Sequence, residues 1–79
     1  MTLREARLRA LLSMRQLARK AGISPTTIYL LETGQRTPQL LTIYKLSRAL
    51  GVDPEEIAEF RHAMDQQTTT NQAEEEAGS

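Results

Sequence analysis

The sequence predicts an all-α fold, and three observations carry that prediction. Apolar residues recur at helical spacing and nowhere alternate as a half-buried strand would. Thr2–Glu5, Ser13–Gln16 and Asp53–Glu56 each pair a capping side chain with a Glu or Gln three residues on, the mark of a helix start. Gly22, Gly34 and Gly51 stand where helices should stop, because glycine adopts the left-handed backbone freely. The expected architecture is five helices in one domain over residues 1–65, followed by a disordered polar and acidic tail over 66–79.

The first helix opens at the Thr2 cap and runs to about Leu11, with Leu3, Ala6 and Ala10 on its core face. Ser13 caps the second, where Met14, Leu17, Ala18 and Ala21 form one apolar stripe. Gly22 ends it, Ile23 fills the corner, and small Ala18 lets the next helix approach closely. Ser24 then caps the third helix, with Pro25 in its first turn, where a missing N–H costs nothing. At about 100° per residue, Ile28 and Leu31 face inward. Thr26, Tyr29, Leu30 and Thr33 fall on the opposite side, with Thr27 on the flank. After the turn Gln35–Pro38, a fourth helix spans about Gln39 to Leu50 and packs Leu40, Ile43, Leu46, Ala49 and Leu50. Asp53 caps a fifth, which reaches about Asp65 with Ile57, Phe60 and Met64 inward. From Gln66 onward no large apolar residue remains, too little to offset the entropy of ordering.

Composition excludes several functions. The 79 residues include no cysteine and one histidine, His62, which leaves no thiolate or histidine cluster for a metal. There is no Ser-His-acid set and no glycine-rich phosphate loop; Glu55, Glu56 and Glu59 read as a solvated helix face. No enzyme activity, cofactor or metal is expected. No apolar run has the length of a membrane span, and Arg4, Glu5, Arg7 and Arg9 interrupt the N-terminal leucines, unlike a signal peptide. These features fit the cytoplasm.

Zero net charge conceals a division. Residues 1–50 hold nine basic side chains against Glu5 and Glu32, a net of +7, and residues 51–79 hold Arg61 against eight acids, a net of −7. Such asymmetry points to a polyanionic partner, unless the two halves merely solubilise one another. The third helix adds a second pointer, because a purely solvated face seldom sets Tyr and Leu side by side.

The chain resembles the lambda-repressor-like, Cro-type helix-turn-helix family over about residues 3–60. The residues that carry the likeness are Arg7, Leu17-Ala18, Ala21-Gly22-Ile23-Ser24, Ile28, Leu31-Glu32, Gly34, Pro38 and the closing run Leu50-Gly51-Val52-Asp53-Pro54. The resemblance implies a double-stranded-DNA-binding transcriptional regulator, a repressor, bacterial or phage-encoded, acting as a homodimer on half-sites about one helical turn apart. It implies phosphate contacts from the backbone near Met14, from Ser24 and Thr27, and from Arg15, Arg19 and Arg36. Base contacts would come from Pro25, Thr26, Tyr29 and Leu30, and an Arg7–Glu32 ion pair would tie the first helix to the third.

Three departures shape the expected readout. Pro25 has no side-chain donor, Leu30 replaces a long polar side chain, and Met14 replaces a phosphate-binding glutamine. Thr26, Tyr29 and Leu30 cannot make a bidentate base contact, so an A·T bias through thymine methyls and single hydroxyl bonds is expected. Lys45 and Arg48 read as a solvated face. The competing reading is a protein-interaction module of the same fold, an antitoxin or adaptor. It would bind through the leucine pair Leu8–Leu11, through Leu30, through Leu41 and Tyr44, or through the acidic tail.

Overall fold

The computed structural model describes residues 1–66. Among them, helices run over Leu3–Arg9 (α1), Met14–Ala21 (α2), Pro25–Glu32 (α3), Leu40–Leu50 (α4) and 58–66 (α5), with a 3-10 turn at Pro54–Glu56 and no strand. The expected tail disorder falls on residues outside those described, except Gln66, which is still helical.

Capping chemistry explains where the helices begin. Thr2 Oγ1 accepts from the Glu5 amide at 3.1 Å, and Glu5 Oε1 accepts from the Thr2 amide at 3.0 Å. The Thr2 backbone amide holds the Glu5 carboxyl below its ordinary pKa. Ser13 and Gln16 repeat the arrangement at 3.1 and 2.8 Å, and Ser24 Oγ accepts from the Thr27 amide at 3.1 Å. α4 differs: Gln39 makes no side-chain cap bond.

The ends are more varied. Gly22 and Gly51 close α2 and α4 at φ 74° and 68°. A side chain at either position would meet open space, so glycine is needed there for its backbone alone. Leu11 adopts φ 60° without that freedom, at a cost of about 1–2 kcal/mol. That left-handed turn ends α1 at Arg9 rather than near Leu11, and it puts Ala10, expected in the core, at the surface.

The core joins every helix. Leu3, Leu17, Ile28, Leu31, Leu46, Ile57 and Phe60 are fully enclosed, each contributing about 1.5–3 kcal/mol by leaving water. Leu12, Met14, Ile23, Leu50, Val52 and Met64 pack around them half-buried. Leu40, expected inside, is exposed: it occupies the first position of α4, where the helix overhangs the core. The expected single fifth helix is instead the 3-10 turn, an extended break at Ile57 (φ −105°, ψ 121°), and then α5. After the break, Phe60 and Ala63 face inward and Met64 lies at the edge.

The N-terminus is stitched to the 3-10 turn and the start of α5. The Ala58 amide donates to the Met1 carbonyl and the Met1 amino group to the Glu56 carbonyl, both at 2.8 Å. Glu59 accepts from the Leu3 amide at 3.0 Å, and Glu56 accepts from the Asp53 amide at 2.9 Å. These two carboxylates therefore cap backbone amides and do not form a bare acidic face.

Candidate nucleic-acid interface

α3 is fastened from beneath. Ile28 and Leu31 are buried, and Arg7 Nε donates to Glu32 Oε2 at 2.7 Å while Arg7 Nη2 donates to Glu32 Oε1 at 3.1 Å. Both side chains are more than nine-tenths buried, so water barely screens the pair. The third contact, Arg7 Nη1 to the Leu12 carbonyl at 3.0 Å, brings the loop ahead of α2 into the same knot. Donation to Glu32 holds the Arg7 guanidinium above its ordinary pKa, outweighing the opposing effect of burial. One fork-shaped side chain thus sets α1, the α1–α2 loop and α3 in a common geometry.

The opposite face of α3 is open and carries no charge. Pro25, Thr26 and Tyr29 are exposed, whereas Leu30, expected fully outward, is half-buried. Among the described residues, the Thr26 and Tyr29 hydroxyls make no hydrogen bond and are available to a ligand. Thr33 is already engaged: its hydroxyl donates to the Tyr29 carbonyl at 2.9 Å and accepts from Gln35 Nε2 at 2.9 Å. Ser24 Oγ and Thr27 Oγ1 lie 2.8 Å apart, so one hydroxyl hydrogen joins them and the other is left to point elsewhere.

Basic side chains flank this ridge on both sides. Arg15 and Arg19 border a depression with Ala18, Ile23 and Pro25. On the other side, Arg36 borders a groove of about 490 Å³ with Ser24, Thr27, Thr37, Gln39 and Thr42. The structure thereby gathers Arg15, Arg19, Ser24, Pro25, Thr27 and Arg36 around the start of α3. Met14 is separate, because its side chain packs half-buried on the core. Only its backbone amide, which with that of Arg15 starts α2 without an intrahelical acceptor, faces outward chemistry. Thr37 and Gln39 had no sequence signal beyond their place in a turn; the groove they line depends on how the α3–α4 loop folds over Thr27.

Among the described residues no group of His, Cys, Asp or Glu could hold a metal ion, and no helix is long and apolar enough to cross a membrane.

A family model described as helix-turn-helix covers residues 3–57, about seven-tenths of the chain, from the first turn of α1 through the 3-10 turn to Ile57. No curated protein and no solved structure matches the chain.

Proposed function

The chain belongs to the Cro/C1-type helix-turn-helix family of DNA-binding domains, and from that premise we propose a sequence-specific transcriptional repressor that lays α3 in the major groove of double-stranded DNA. The observation that carries the reading is the uncharged, outward face of α3 set between arginines on either side. Phosphates supply attraction without choice, and base edges supply choice. Arg15, Arg19 and Arg36 serve the first need, together with the α2 N-terminal amides at Met14 and Arg15 and the Ser24–Thr27 hydroxyl pair. Pro25, Thr26, Tyr29 and Leu30 serve the second. The Leu30 side chain and the Thr26 methyl contact thymine methyls, and the free Thr26 and Tyr29 hydroxyls each make single hydrogen bonds. One domain of this size reads few base pairs, so two copies bind as a homodimer on symmetric half-sites.

Selection of bound sequences from a random DNA pool tests the proposal. The expected product is an A·T-biased half-site in symmetric repeat. A G·C-rich core would overturn the readout, and a pool that never enriches would overturn DNA recognition itself.

One observation favours a second reading. Leu11 is 88% exposed in a strained backbone conformation, next to the exposed Leu8, as a contact knob for another protein would be. A protein-interaction module would show no steep loss of DNA affinity with salt, because it would release few counterions.

A further inference from the structure

Away from the arginines that flank α3, a second basic cluster spans α2 and α4. Lys20 of α2 faces Tyr44, Lys45 and Arg48 of α4 across a shallow depression floored by Ala21 and Ala49. Arg48 Nη1 donates to the Tyr44 hydroxyl at 2.7 Å and its guanidinium lies 5.6 Å from the ring centroid. Neither Lys20 nor Lys45 has an ion-pair partner among the described residues. Three cations gathered in this way repel one another and favour a polyanionic ligand.

The chain supplies one close by. Met64 and Asp65, at the end of α5, share a depression with Glu55 of the 3-10 turn, and that turn packs against α4. In sequence, residues 67–79 follow directly on this end of α5, which lies beside the turn that succeeds α4. Their first seven residues can span roughly 25 Å when extended. Lys45 lies only about 8 Å back along α4 from its last residue. Beyond that spacer come Glu74, Glu75 and Glu76, and residues 67–79 contain no basic side chain to oppose them.

We propose that Glu74–Glu76 fold back onto the Lys20/Lys45/Arg48 cluster, so that the chain carries its own competitor for DNA phosphate. The competition rests on the DNA-binding reading above; the docking does not. Exposed ion pairs are individually weak and screened by salt, so the contact is reversible and a duplex displaces it. The segment lowers affinity for arbitrary DNA and leaves the base-reading face of α3 uncovered.

The full-length chain and its E74Q/E75Q/E76Q variant test this, each in the native and the K20Q/K45Q background. Backbone amide shifts are recorded without DNA, and affinity for a mixed-sequence duplex is measured at low salt. In the native background the glutamate changes should move the amides of Lys20, Lys45 and Arg48 and raise duplex affinity about fivefold. In the K20Q/K45Q background that rise should vanish. Unmoved amides would overturn the proposal. So would an equal rise in both backgrounds, which would mark a general charge effect. If no variant binds DNA, the regulator reading fails, and the amide shifts still decide the docking.

Discussion

Tyr29 on α3 and Tyr44 on α4 are about equally exposed, at 49% and 55%, yet they stand in different electrical surroundings. Around Tyr29 lie Pro25, Thr26 and half-buried Leu30, with the helix's one charged residue, Glu32, turned inward to Arg7. Around Tyr44 lie Lys45, Arg48 and, across the helix boundary, Lys20. An uncharged helix face has little long-range pull on DNA, so its orientation depends on its anchor and its encounter depends on neighbouring arginines. A cationic face attracts any polyanion and discriminates little. Attraction and selectivity are thus assigned to different surfaces, and substitutions should separate them.

The largest effect is expected beneath α3. Arg7→Met leaves the Glu32 carboxylate buried without its partner and should cost about 3–5 kcal/mol of stability by denaturant unfolding. It should weaken binding to every duplex, because α3 loses its bearing. Leu30→Ala comes next. On the selected site it should cost about 1–3 kcal/mol of affinity, and on mixed sequence almost nothing, as read by competition binding. Equal losses on both would place Leu30 among the packing residues only. Arg36→Gln should do the reverse, lowering affinity for all sequences alike and flattening the salt dependence by about 0.9 in log–log slope. The smallest effect lies within α4, where the buried Ser47 hydroxyl makes no hydrogen bond among the described residues. Ser47→Ala should raise stability by about 1 kcal/mol in thermal or denaturant unfolding and leave DNA binding unchanged.

Most of the fold was legible because its signals are local. Capping boxes, the period of the apolar stripe and the stop glycines each act within one or two turns, and they correctly locate α2, α3 and α4. The misreadings occur where local signals give way. Leu11 takes a backbone conformation normally left to glycine, so α1 stops early and Ala10 is carried outward. Asp53 caps a helical turn as its sequence demands, but the turn is 3-10 and ends at Ile57, whose side chain reaches the core from an extended backbone. The break resets the phase, so Ala63, too small to stand out in the sequence, faces fully inward and Met64 only half. For the interface, residue types and spacing identify the outer face of α3. They do not reveal that Leu30 is half-covered, that the Thr33 hydroxyl is already bonded, or that Thr37 and Gln39 close a groove against Thr27. The groove depends on how the α3–α4 loop returns across the helix, a non-local matter, whereas the Thr33 bonds are local, to Tyr29 and Gln35, and residue type alone does not fix them.

The two tyrosines offer the most direct test of that separation. In a complex with the selected duplex, intermolecular NOEs from each ring report what it touches. The Tyr29 ring should show contacts to thymine methyl or base protons, and the Tyr44 ring none to bases. Base contacts at Tyr44 with Tyr29 silent would contradict that separation.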